Sequence, residues 1–92
     1  MKIVYRLHAI ERMFERNISE ENINEAVLIG KVIENYPEDK PYPSKLLFAL
    51  INNRPIHVVI AENISNEEII VITVYEPDLS KWDESFERRK MK

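Results

Sequence analysis

His8, Arg12 and Arg16 stand at i, i+4 and i+8, so on a helix they form one row, each member turned by about 40° from the last. Glu11 and Glu15 flank the row, but neither lies four residues before an arginine, the favourable orientation for a helical ion pair. Two arginines one turn apart repel by a few tenths of a kcal/mol, roughly, unless an anion sits between them. Planar guanidinium forks suit a phosphate or carboxylate, and an imidazole in the same row is a hydrogen-bond donor or proton carrier. The competing reading is a solvated helix face, because a helical wheel turns this row away from Leu7, Ile10 and Phe14.

His57 interrupts the apolar stretch Ile56 to Ala61, and strand alternation puts it on the face opposite Ile56, Val58 and Ile60. With residues 60 and 70 paired across a hairpin, His57 faces Thr73 and has Tyr75 as a diagonal neighbour. An imidazole and a phenol on one sheet face can move protons to and from a ribose hydroxyl and a leaving oxygen, work worth about 10²–10⁴ in rate. A satisfied core histidine, with Tyr75 as an amphipathic cap on the sheet, is the alternative. Arg88 and Arg89, with Lys90 and Lys92, make a basic terminus beside Trp82 and Phe86. Arginines next to aromatic rings grip nucleic acid through phosphate contact and stacking; the same aromatics could instead dock the tail on the core.

The elements that must position these groups follow from periodicity. Residues 6 to 16 read as a helix ending at Asn17, which tolerates the left-handed conformation of a helix terminus. Ser19 reads as the N-cap of a second helix whose first turn holds Glu20 and Glu21 and which Gly30 terminates. In the two helices the expected buried stripes are Leu7, Ile10, Met13 and Phe14, then Ile23, Ala26 and Val27. Strand patterns occupy 31–36, 45–51, 55–62 and 68–76, with Asn52-Asn53 suited to a two-residue hairpin and Pro37, Pro41 and Pro43 in one loop. The predicted class is α+β: two N-terminal helices packed on a four-stranded antiparallel sheet, then a short C-terminal helix or tail. Residues 1–5 are a candidate edge strand.

A chain of 92 residues has length for one domain, 1–92, and its 45% hydrophobic and 32% charged content is that of a folded soluble domain. The net charge of −3 argues against a domain that coats itself in nucleic acid through bulk positive charge. The charge is unevenly placed: +2 over residues 1–16, −4 over 17–44, −2 over 45–76 and +1 over 77–92. With no cysteine and two histidines there is no disulfide framework or thiol nucleophile, and no metal or other cofactor is expected. The apolar run from Ile69 to Tyr75 is too short to span a bilayer, and charges interrupt the N-terminal stretch where a signal peptide needs its apolar region. A cytoplasmic protein without membrane contact is the expectation.

Four blocks, HAIERMFERNIS at 8–19, ENYPEDKPYPSKLLF, RPIHVVIA and IIVITVYEPDLSKWDESFERRK, occur in order across nearly the whole chain. This pattern resembles the family called domain of unknown function 4258, with Asn17 where that family usually has Gly. The family in turn resembles the RelE/ParE/MqsR-type toxins of toxin–antitoxin modules. The resemblance implies a metal-independent endoribonuclease that cleaves mRNA with the 2′-hydroxyl as nucleophile. On this chain Arg12 and Arg16 would bind the anion, and His8, His57 and Tyr75 would be the proton-transfer candidates. Implied partners are RNA or the ribosome and a cognate antitoxin, a zinc-finger protein being one option, with a homodimer also open. The alternative is a non-catalytic protein-binding module, a ParE-like inhibitor or antitoxin-binding domain.

Overall fold

The computed structural model describes residues 1–91; the Lys92 part of the basic terminus lies outside them. In chain order the elements are β1 (Lys2–Tyr5), α1 (Leu7–Arg16), α2 (Glu20–Ile29), β2 (Lys31–Tyr36), β3 (Ser44–Ile51), β4 (Arg54–Asn63), a single 3₁₀ turn and β5 (Glu68–Tyr75). One sheet contains all five strands in the order β1-β5-β4-β3-β2. The class is α+β as expected, but the sheet is mixed and five-stranded rather than four-stranded and antiparallel. The correction is β1, which lies parallel to β5 with Tyr5 opposite Val71. A parallel neighbour needs a long crossover, and here everything from α1 to β4 supplies it. Four residues carry no periodicity from which that orientation could be read.

The helix ends follow local chemistry. Asn17 adopts φ 55° and its N–H closes on the Met13 and Phe14 carbonyls, the left-handed terminus that Asn accepts at low cost. Ser19 Oγ accepts from the Asn22 N–H at 3.1 Å while the Asn22 side chain accepts from the Ser19 N–H at 3.1 Å, a reciprocal cap that satisfies two orphan donors. Gly30 ends α2 for a different reason. Its backbone is extended, with φ −64°, and a Cβ there would stand 3.2 Å from the Leu47 Cβ and closer still to the Ala26 carbonyl. A collision with the Ala26 carbonyl of the helix itself, with Leu47 of the sheet close behind, requires glycine here rather than a left-handed turn. In the β3–β4 hairpin Asn52 and Asn53 both take positive φ, 55° and 65°, as a type I′ connection demands.

Both helices pack on one sheet face. Ala9 and Met13 of α1 and Ile23 and Ala26 of α2 meet Leu47, Ile56, Val58, Val71 and Val74. The α1 stripe is therefore narrower than expected. Leu7 is 72% and Phe14 89% exposed, Ile10 is half-exposed, and of the predicted stripe only Met13 is buried. Ala9, too small to stand out in the periodicity, is the true contact point: it brings the helix backbone close and rotates the larger residues outward.

The part of the opposite sheet face around Phe48 and His57 is covered by residues 77–91, which form a strap of turns with no helix. An isolated antiparallel bridge joins Trp82 to Arg89, flanked by Asp83 N–H to Arg88 O at 2.9 Å and Lys90 N–H to Lys81 O at 2.8 Å. Trp82 is 2% exposed, so its ring docks the tail on the core. No helix among the described residues is long and apolar enough to cross a membrane.

Candidate anion-binding site

β1 ends opposite Val71, so β5 from Ile72 to Tyr75 runs on without a strand on that side. α1 occupies the vacated edge. Because Ala9 and Met13 face the sheet, the row of His8, Arg12 and Arg16 borders the core contact and looks round this edge toward the tail. A cavity of about 370 Å³ forms there, with His8, Arg12 and Arg16 on one wall, Thr73, Tyr75 and Glu76 on the second, and Asp78, Lys81, Trp82 and Arg89 on the third. Four permanent cations line it against two carboxylates, which makes a locally positive hollow in a chain of net charge −3. A second hollow on the outer face of α1 is lined by that helix alone, including Ile10, Glu11 and Phe14; one helix supplies no opposing wall.

The cations differ in how far they are engaged. Arg12 lies 3.8 Å from Glu15 across an exposed helix surface, a pairing of little energy. Arg89 is committed: its Nε and Nη2 donate to the two Glu34 oxygens at 2.8 and 3.0 Å, and its guanidinium carbon sits 4.6 Å from the Trp82 ring centre. The Glu34 bonds raise the Arg89 pKa, and Arg89 in turn holds the Glu34 carboxyl below the usual carboxylate range. Arg88, the other tail arginine expected to contact nucleic acid, does not line the cavity.

Tyr75 reaches the tail side of the sheet because of a bulge. Val59 pairs with Thr73 and Ile60 with Val71, leaving Ile72 without a partner. Unbroken pairing from Ile60–Val71 would set His57 against Val74; the extra residue sets it directly opposite Tyr75 instead. The expected pairing of residues 60 and 70, with His57 facing Thr73 and Tyr75 diagonal, is corrected on two counts: Ile60 pairs with Val71, and the bulge adds one residue more. The bulge also explains how Val71 and Val74, three apart, both enter the core on the helix side.

His57 itself does not line the cavity. It is fully buried behind Tyr75, among Phe48, Tyr75 and Trp82, with the Trp82 ring centroid 4.5 Å away and nearly perpendicular. Its Nε2 is 2.7 Å from the Phe86 carbonyl and its Nδ1 is 3.2 Å from the Tyr75 hydroxyl. A carbonyl only accepts, so Nε2 carries the hydrogen and Nδ1 is the acceptor. Burial lowers the imidazole pKa, and Arg89 lowers it further, against opposing contributions from the Phe86 carbonyl and Glu34. Burial likewise raises the Tyr75 pKa, and Arg89 partly offsets this. A neutral imidazole beside a neutral phenol is the resting state.

Of the residues singled out by sequence, His8, Arg12, Arg16, Tyr75 and Arg89 meet in one cavity, His57 stands one bond behind it, and Arg88 lies elsewhere. Lys81, Glu34 and Arg54 were not anticipated. Arg54 donates to the Asn17 carbonyl at 2.9 Å, to the Arg16 carbonyl and to Glu76 at 3.0 Å. It ties the end of α1 to the ends of β4 and β5. Its only sequence signal was a cation beside the hairpin turn. Among the described residues no group of three or more His, Asp or Glu side chains is arranged to hold a metal ion.

No match was found among curated proteins or among solved structures. One family model does match, that of a domain of unknown function, DUF4258, over residues 5–76. The match takes in α1, β4 and β5, and with them His8, Arg12, Arg16, His57 and Tyr75, while the strap that supplies Lys81, Trp82 and Arg89 lies beyond it. Covering well over half of its length, that match shows that the chain belongs to the DUF4258 family.

Proposed function

We propose that this protein is a toxin-like, metal-independent endoribonuclease that binds the phosphodiester backbone of mRNA in the α1–β5 cavity and cleaves it through the ribose 2′-hydroxyl. The observation that carries the reading is the shared cavity: the Arg12–Arg16 pair, Lys81 and the Tyr75 hydroxyl line one hollow. Two guanidinium forks and an ammonium match the charge of a phosphate, and more so the charge that builds on its oxygens as a pentavalent phosphorus forms. Tyr75 and His8 line the cavity and are able to exchange protons with the attacking and departing oxygens. The resemblance to RelE/ParE/MqsR-type toxins supports the same chemistry, with action in the cytoplasm and an antitoxin as the restraining partner.

The test is incubation of the purified chain with a labelled RNA oligonucleotide in a chelator. Cleavage to a 2′,3′-cyclic phosphate, lost in Arg12→Ala/Arg16→Ala and Tyr75→Phe, is the expected result. RNA left intact by the unaltered chain at low and moderate salt would refute it. The second reading, a non-catalytic protein-binding module, draws on the exposed Leu7, Ile10 and Phe14 of α1.

A further inference from the structure

His57 does not itself line the cavity, yet every polar atom of its ring is committed. Nε2–H donates to the Phe86 carbonyl and Nδ1 faces the Tyr75 hydroxyl. Phe86 holds φ 62°, a left-handed conformation that bulky side chains rarely adopt and that persists only where the surrounding structure holds it. Here the residue so held is the one whose carbonyl bonds the imidazole. The tail is fastened around this contact by Glu34–Arg89 and by Lys31–Glu87 at 2.6 Å.

We propose that His57 is a positioning residue: with Nε2–H pinned by the strap, Nδ1 must accept the Tyr75 hydroxyl hydrogen, so Tyr75 turns a bare phenol lone pair toward the cavity and receives the proton of a ribose hydroxyl. The proposal rests on the cleavage reading above and deepens it. As the ribose O–H proton passes to the Tyr75 oxygen, the Tyr75 proton passes to His57 Nδ1. The freed 2′-oxygen bonds to phosphorus, the bond from phosphorus to the 5′-oxygen breaks, and that oxygen leaves with a proton from His8. One proton is taken up and one released, and nothing is oxidised or reduced. His57 becomes imidazolium transiently, with the Phe86 carbonyl and the Glu34 carboxylate to favour that charge and Arg89 to oppose it. The charged and titratable groups that bear on the ring are thus Tyr75 from β5, Glu34 from β2 and Arg89 from the strap. β3 contributes only Phe48, at a centroid distance of 5.8 Å.

Two measurements on the full chain test this. Imidazole ¹⁵N NMR of the unaltered protein should show His57 protonated at Nε2 and bare at Nδ1. Single-turnover RNA cleavage should fall about 100-fold in His57→Gln and in Tyr75→Phe, with the double variant no slower than either. Gln retains a donor for the Phe86 carbonyl but no basic nitrogen, so the decline in rate below the ordinary histidine pKa should also vanish in His57→Gln. A His57 protonated at Nδ1, or a folded His57→Gln chain with unchanged rate and pH profile, would overturn the proposal. A parent chain that leaves RNA whole overturns the cleavage reading itself, and the relay with it, while the NMR result still reports whether the strap sets the tautomer.

Discussion

Glu34 on β2 and Arg89 on the C-terminal strap, 55 residues apart, are joined by two hydrogen bonds of 2.8 and 3.0 Å. The geometry is the parallel fork that makes Arg–carboxylate pairs directional. Glu34 also accepts from the Tyr36 hydroxyl at 2.6 Å, which helps push the Tyr36 pKa up to about 12. One carboxylate thus fixes the arginine that covers Trp82, and Trp82 closes over His57.

Removing that carboxylate should loosen the strap without unfolding the sheet. Glu34→Gln is expected to cost about 1 kcal/mol, the scale of a part-exposed charge-assisted pair. Trp82, the chain's only tryptophan, reports it directly: its emission should shift red in Glu34→Gln while the far-ultraviolet circular dichroism stays that of the parent. An unmoved emission maximum would show that the remaining contacts hold the tail without the Glu34–Arg89 pair.

Acid should release the strap in two stages. The His57 pKa is lowered on folding, so the unfolded chain binds its proton first. Its contribution is full above the ordinary histidine value of 6.5 and is lost as pH falls from there through the lowered folded value. The Glu34 pKa is lowered too, so its contribution is full above the ordinary glutamate value of 4.5 and fades only below it. Stability measured by denaturant titration should therefore decline first below about pH 6.5 and again below about pH 4.5. His57→Gln should remove the first decline and leave the second.

Much of this was legible in residue order and some was not, for identifiable reasons. Asn17, Ser19 and the Asn52-Asn53 pair act through their own side-chain and backbone chemistry, and the structure has them in the expected roles. The i, i+4, i+8 row could be placed on one helix face, but whether that face met solvent or a cavity depended on where β1 stopped. The bulge at Ile72 has no signature in a run of β-branched residues, and together with the Ile60–Val71 register it decides that Tyr75 opposes His57. Apolar size misled at α1, because Ala9 carries the contact that Leu7 and Phe14 were expected to make. Long-range pairs such as Glu34–Arg89 join segments whose meeting no local pattern encodes.

Arg54 should prove as important to the site as to the fold. It satisfies carbonyls at the end of α1, where the helix leaves orphan acceptors, and it pairs with Glu76. Arg54→Ala is expected to destabilise by about 1 kcal/mol, the scale of a part-exposed charge-assisted pair whose carbonyl partners water can then satisfy. Because Arg16 sits in the turn it anchors, RNA binding should weaken as well. Arg54→Lys, with one point charge in place of a fork, should recover only part of either loss in denaturation and binding assays.

Phosphate contact by the α1 row predicts a particular salt dependence. Each arginine that neutralises one backbone phosphate contributes about 0.7 to the slope of log affinity against log salt for single strands. Arg12→Ala and Arg16→Ala should each flatten that slope by about this amount and weaken binding evenly across sequences. Arg88→Ala, outside the cavity, should leave the slope unchanged. A slope that responds to Arg88 but not to Arg12 would move the nucleic-acid surface to the tail.

Phe14 offers a test in which nothing should happen to the fold. At 89% exposure its ring gains almost no burial on folding, so Phe14→Ser should change stability by no more than about 0.5 kcal/mol, as for an ordinary surface site. Met13→Ala, one residue earlier and 8% exposed, should cost about 2–5 kcal/mol, because it removes side-chain packing and leaves a cavity against the sheet. Equal losses in the two variants would mean that α1 packs through the larger apolar face. The His8–Arg12–Arg16 row would then turn away from β5, and the cavity would lose its cationic wall.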